Sequence, residues 1–357
     1  MRKRLVRLLA GFGMALVAAQ LVGAQGDLWR SLIQRAEVLQ RQGHYEEAVA
    51  AVTKALAIAE RDLGPEHPDV ATSLNFLALL RETKGEYREA EDLYKRALGV
   101  MEKALGREHH SVAIAVGNLA GLYKTQGRYA AAESMYRRAL ELAEKALGPH
   151  HPNVAAALNN LAGVHYAQEH FAAAKPFYER ALAIREKALG PHNSAVAESL
   201  NNLAAVHRAR DEFAVAEPLY RRSLSIVADR LGPHHPAVAV ALNNLAELHG
   251  AQGRYAEAEL LHQRALTIQE VALGPEHPDL DESLNYLADL YGAQGRFAAA
   301  ENLYRRSLAI REKHLGPDHP LVARSLDNLS KVYTLMGRLE DARRLSDRAA
   351  KIRGRLR

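Results

Sequence analysis

The sequence predicts an all-α solenoid of about eight stacked helix pairs, and three observations predict it. A Leu-Gly pair recurs at Leu63-Gly64, Leu105-Gly106, Leu147-Gly148, Leu189-Gly190, Leu231-Gly232, Leu273-Gly274 and Leu315-Gly316, always 42 residues apart and without one insertion. In step with it run an aromatic or leucine (Tyr45, Tyr87, Tyr129, Phe171, Phe213, Tyr255, Phe297, Leu339) and, three residues on, an alanine (Ala48, Ala90, Ala132, Ala174, Ala216, Ala258, Ala300, Ala342). The composition agrees: 48% of the residues are apolar but only 6% aromatic, as in stacked helices.

Each unit reads as two helices. In residues 149–190, Pro152 suits a first helical position, where its missing N–H costs nothing. Val154, Leu158, Leu161, Ala162 and His165 follow as one helical stripe. The chain turns near Glu169-His170, where most other units carry Gln-Gly or Lys-Gly. A second stripe runs through Phe171, Ala174, Phe177, Tyr178, Ala181 and Leu182 to Leu189, and Gly190 followed by Pro191 ends it. The repeats so defined lie near 29–64, 71–106, 113–148, 155–190, 197–232, 239–274, 281–316 and 323–353. No unit buries its stripe alone, so stability must come from unit against unit. The ends are accordingly atypical, with Trp29 among polar residues at the start and a very polar last helix.

The two helices of a unit differ in charge. Residues 153–168 contain no Asp, Glu, Lys or Arg, and 113–123 and 237–246 are as bare, whereas the second helices are charged. The first helices are therefore expected on the inner wall of the stack and the second helices on the outer wall.

Residues 1–24 read as a secretory signal peptide: Arg2, Lys3, Arg4 and Arg7, an apolar run from Leu8 to Ala19, then Val22-Gly23-Ala24 before Gln25. The run is shorter than the ~20 residues of a spanning helix. The expected product is one solenoid over 25–357, exported to a periplasm or secreted, with no integral membrane segment after cleavage. Four of the five net positive charges lie in that segment, which leaves +1. Seven basic and two acidic residues from Asp341 onward give a local +5, so the body carries about −4. A body with no basic stripe predicts no nucleic-acid partner.

Within the units the pattern resembles the tetratricopeptide repeat: in residues 113–154 the motif positions read Leu119, Ala120, Tyr123, Tyr129, Ala132, Tyr136, Ala139 and Leu140. The 42-residue length and the LGPxHPxVA connector resemble the repeats of kinesin light chains and their bacterial relatives. The heptad-rich segment and acidic linker of kinesin light chains are absent, so a motor-cargo role is not implied. The resemblance implies a right-handed superhelix whose first helices line a concave groove, with asparagines there holding peptide backbone.

The candidate groove residues are Asn75, Asn118, Asn159, Asn160, Asn201, Asn202, Asn243, Asn244, Asn285 and Asn328, opposite the apolar stripe. An amide both donates and accepts, so it can bond an extended backbone of any sequence. Equally, each could bond the neighbouring repeat and set register only. Lys124, Arg208, Glu247 and Asp289 are the charged additions expected to orient a bound segment, the groove being neutral or basic before about residue 210 and acidic after it.

Histidines at the connector position (His67, His109, His151, His235, His277, His319) read as helix caps, because successive units lie too far apart to share a metal ion. His165, His207, His249 and His262 stand where other units have tyrosine and should be partly buried and neutral. There is no cysteine, no GxSxG, no HExxH and no phosphate-cradling glycine loop. The expected protein is a scaffold without cofactor or catalysis that holds a peptide or an extended segment of a partner. The second reading is a structural subunit of an envelope assembly acting through its convex face or ends.

Overall fold

A computed structural model describes residues 25–355; the signal-peptide reading of 1–24 lies outside them. Among the described residues there are sixteen helices and no strand. They alternate in length: α1 (Gln25–Arg41), α2 (Tyr45–Leu63), α3 (Pro68–Thr83), α4 (Tyr87–Leu105), α5 (His110–Thr125), α6 (Tyr129–Leu147), α7 (Pro152–Ala167), α8 (Phe171–Leu189), α9 (Ser194–Ala209), α10 (Phe213–Leu231), α11 (Pro236–Ala251), α12 (Tyr255–Leu273), α13 (Leu280–Ala293), α14 (Phe297–Leu315), α15 (Pro320–Leu335) and α16 (Leu339–Arg355). The fold is the expected all-α solenoid of eight pairs. The chain divides into two compact units, Met1–Ser199 and Leu200–Arg357, the division falling inside α9.

The punctuation works as the sequence implies. The connector glycines end the second helices at φ values of +82 to +91°, a region that L side chains avoid. The following histidine caps the next helix in five connectors: Nδ1 of His151 accepts the backbone N–H of Asn153 at 3.1 Å, and His67, His109, His235 and His319 do the same at 3.0–3.2 Å; His277 accepts from Asp279 at 3.2 Å, one residue before α13 begins. At the equivalent place before α9, Oδ1 of Asn193 accepts from Ala195 at 2.9 Å. The capping reading holds for five of the six connector histidines and fails at His277, where α13 begins three residues later instead of one.

In the first unit α2, α4 and α6 each pack on their own first helix and on the next one, and in the second unit α12 and α14 do the same. Ala48, Ala90, Ala132, Ala174, Ala216, Ala258 and Ala300 are fully buried at these crossings, where a larger side chain would push the helices apart. Trp29 fills the first pair and its Nε1 donates to Ser73 at 2.9 Å. Successive first helices also touch, α3 with α5 and α5 with α7 in the first unit, α11 with α13 in the second.

The second helices carry a regular ladder of ion pairs. Arg138 reaches Glu102 at 2.5 Å and Arg180 reaches Glu144 at 2.6 Å; Arg96–Glu60, Arg306–Glu270 and Arg348–Glu312 repeat the pair, always 36 residues apart. Each rung is solvated and contributes modestly, about 0–1 kcal/mol. No helix among the described residues is long and apolar enough to cross a membrane.

Candidate functional site

The ten asparagines occupy two registers that the sequence pattern does not separate. Asn75, Asn159, Asn201, Asn243 and Asn285 are 42 residues, or a multiple of 42, apart. Asn118, Asn160, Asn202, Asn244 and Asn328 sit one position later. Of the first register, all but Asn159 are buried, at 1–7% exposure. Of the second, all but Asn244 are half-buried.

The first register faces the seam between helices. Asn243 Nδ2 donates to Ser283 Oγ at 2.6 Å, while its Oδ1 lies 2.8 Å from His262 Nδ1. Asn285 Nδ2 bonds Ser307 Oγ at 2.7 Å and the backbone carbonyl of Asp281 at 2.6 Å. Asn159 Nδ2 meets Glu198 at 3.3 Å. The two registers also join: Asn244 Nδ2 donates to Asn201 Oδ1 at 2.7 Å, and Asn328 Nδ2 to Asn285 Oδ1 at 3.3 Å. A groove role for Asn75, Asn201, Asn243, Asn244 and Asn285 therefore needs correction. Their amides lie below the surface, where no peptide backbone reaches, and the bonded ones tie neighbouring helices together. Asn75 Oδ1 and Asn118 Nδ2 are the atoms that correspond to Asn201 Oδ1 and Asn244 Nδ2 three repeats earlier, and neither has a hydrogen-bond partner.

What stays accessible in the first unit is the open face of α5 and α7. It carries Ile114, Gly117, Asn118, Gly121 and Lys124 on α5 and Ala156, Asn160 and Tyr166 on α7, at helical spacing, with Gly163 buried beneath them. Asn160 lacks a partner for a local reason. Gly117 stands where the acceptor asparagine of the preceding helix would be, so Asn160 makes no hydrogen bond within the described residues. Its amide is half-open and unspent.

The small residues admit tyrosines from behind. A Cβ on Gly121 would lie 3.4 Å from Tyr136 Oη, and one on Gly163 would lie 3.7 Å from Tyr178 Oη and 3.6 Å from Lys124 Nζ. Burial holds the phenol groups of Tyr136 and Tyr178 protonated far above their usual range. They remain hydroxyls, able to donate or accept. Sequence reasoning passed over them because their spacing is that of the core; the glycines opposite were the available signal.

The second unit's open face is charged but largely spoken for. Arg208 Nη1 pairs with Glu247 at 3.3 Å, Tyr286 donates to Glu282 at 3.0 Å, and Tyr304 donates to Asp289. Arg208 is thus not a free cation of a basic stretch, and Glu247 is half neutralised by it. Further along, α15 exposes Arg324 and Lys331. The acidic residues expected after residue 210, Glu247, Glu282 and Asp289, are thus each engaged by a neighbour.

The histidines are buried as expected. His165 stacks parallel on Phe177, centroids 5.6 Å apart, and His262 stacks on Tyr286 at 5.7 Å. In tyrosine units the ring spans to the preceding second helix: Tyr123 donates to Glu91 at 3.0 Å, Tyr291 to Glu259 and Tyr333 to Glu301 at 2.9 Å. The shorter imidazoles of His165 and His249 stop 3.9 Å and 3.7 Å from Glu133 and Glu217. Both ring nitrogens of each lack a hydrogen bond. Burial lowers the pKa of both, and that of His262 to about 3.

Helix pairs with a charged outside and an open face of amides, glycines and tyrosine hydroxyls define a protein-interaction scaffold. The chain belongs to the tetratricopeptide repeat family: family models described as tetratricopeptide repeat match residues 29–103, 111–187, 195–270, 251–313 and 322–356. Among curated proteins none matches the sequence. Among solved structures, this chain is similar to BtubC (BKLC) from P. vanneervenii, with 24% identity, a TM-score of 0.51, and coverage of 71% of this chain and 94% of that one. It is similar to kinesin light chain nearly identical TPR-like repeats of Podosopora anserina, with 28% identity, a TM-score of 0.47, and coverage of 58% and 98%. A Rap protein complexed with Competence and Sporulation Factor matches at 13% identity and a TM-score of 0.57, covering 92% and 99%.

Proposed function

We propose that this protein is an exported, non-catalytic scaffold that takes an extended segment of a partner protein on the open faces of its first helices. The observation that carries the reading is Asn160, a half-open amide with no partner, set among Ala156, Gly163 and Gly117 on helices that bear almost no charge. Small neighbours let a peptide backbone come close, and the amide supplies one donor and one acceptor to it without regard to sequence. Asn118, Asn202 and Asn328 extend the row, each within its own unit. Export rests on the leader-like composition of residues 1–24; N-terminal sequencing of the protein from its native cell should begin at Gln25, and retention of Met1 would refute it.

Two substitutions test the groove. Asn160→Ala removes the amide. Gly117→Asn restores the acceptor that the other units have and ties Asn160 down; a Cβ at Gly117 meets nothing within 4 Å, so the variant folds. Peptides selected from a random display library on the wild-type protein should bind both variants about tenfold more weakly. Equal binding by both would dismiss the groove. Selection of no peptide, with the protein isolated as a defined oligomer, would favour the structural-subunit reading.

A further inference from the structure

The ladder of ion pairs along the outer wall has a missing rung in the second unit, and the gap coincides with an apolar stripe. Arg264 of α12 occupies the position of Arg96, Arg138, Arg180, Arg306 and Arg348, each of which holds a glutamate 36 residues earlier. The residue 36 before Arg264 is Ala228, and Arg264 has no acid partner among the described residues. A second rung fails beside it. Lys103, Lys145 and Lys313 pair with Glu66, Glu108 and Glu276 of the connectors; at that place α12 has Val271, and the connector has His234.

The residues that replace the charges are strongly exposed. Val271 is 82% and Leu260 67% open to solvent, more than any other large apolar side chain described. Leu260, Arg264, Thr267 and Val271 stand at i, i+4, i+7 and i+11, a single straight stripe about 16 Å long. Such rows are the ridges that a second helix packs against. A solvated cation on a polar surface needs no neighbour; one set in an apolar stripe, beside an abolished ion pair, is complementary to a surface that brings its own carboxylate.

We propose that this stripe docks an amphipathic helix of a partner protein, one that sets an acidic side chain against Arg264 between apolar side chains that cover Leu260 and Val271. The site lies on the second helices and is independent of the groove on the first. Association buries the two apolar side chains and supplies the rung that Ala228 lacks.

The test uses a fluorescein-labelled helical peptide carrying leucine, glutamate, leucine and leucine at i, i+4, i+7 and i+11, titrated with the full chain by fluorescence anisotropy. Saturable binding is expected, weakened about tenfold by Leu260→Glu combined with Val271→Lys. Arg264→Glu should weaken the same peptide and favour one with lysine in place of its glutamate. All three positions are on the surface, and unchanged thermal melts by circular dichroism verify that the variants fold. No saturable binding, or equal affinity across the variants, would overturn the proposal. So would sedimentation of the wild type as a dimer that Val271→Lys returns to monomer, because a second copy would then cover the stripe.

Discussion

Glu169 and Asp211 occupy the turn position where Gly43, Gly85, Gly127, Gly253, Gly295 and Gly337 sit, and they adopt the same left-handed backbone, φ +69° and +60°. An L side chain there costs about 1–2 kcal/mol, partly offset because glycine loses more freedom on folding. Glu169→Gly should raise stability by about 1 kcal/mol, read as a shift of the urea midpoint, and Gly127→Glu should lower it by a similar amount. The buried amides make a second residue-scale case. Asn201→Ala leaves Asn244 Nδ2 buried without its acceptor, at a cost of about 1–3 kcal/mol. Asn160→Ala breaks no bond and should leave stability nearly unchanged. That contrast separates register from binding in a single denaturation series.

The histidines act in the opposite sense to a salt bridge. Burial lowers the pKa of His165, His249 and His262 in the folded chain, so the unfolded chain binds the proton first. Stability is full above the unfolded value near 6.5 and declines as the pH falls; for His262 the decline runs down to about 3. His165→Tyr and His249→Tyr give each ring a hydroxyl that can reach Glu133 or Glu217, as Tyr123 reaches Glu91. The double variant should flatten the loss of melting temperature between pH 7 and pH 5, and an unchanged acid transition would count against it.

At the scale of the element, the connector decides where each helix starts. A histidine Nδ1 or an asparagine Oδ1 accepts the second N–H of the first helix, so the two residues are interchangeable there and alanine is not. His151→Asn should be neutral. His151→Ala should cost about 1 kcal/mol and speed amide exchange in the first turn of α7 before any other helix. Element boundaries were legible because glycine, histidine and proline act through their own backbone or their nearest neighbours. The division of the asparagines was not. A helical wheel gives the angle between Asn159 and Asn160, 100° apart, but not where the next helix lies. Only the packing of α9, α11 and α13 reveals that one amide of each pair meets a seam. The hidden pairing of Arg208 with Glu247, 39 residues away, escaped the sequence for the same reason.

At the scale of the molecule, the uniform interval is the organising fact. In the first unit α3, α5 and α7 succeed one another at one spacing and touch in turn, so removing residues 113–154 joins compatible surfaces. The shortened chain should remain helical by circular dichroism and unfold at a lower temperature, since it loses one set of contacts between neighbours. A collapse to an unfolded chain would refute that equivalence. Class and architecture were readable from the repeat alone because one spacing, repeated without error, leaves few alternatives. Which amides are buried and which are accessible was not, because the same spacing governs both registers.

The strict 42-residue spacing, with no insertion in any connector, has a counterpart in the gene. Gain or loss of one 42-residue block preserves the reading frame and cuts no helix. Lineages can therefore gain or lose whole modules in a single event and still make a foldable product. The length of the scaffold can then change by counting, while point changes such as those at Gly117 and Ala228 alter the hydrogen bonds and ion pairs of individual modules.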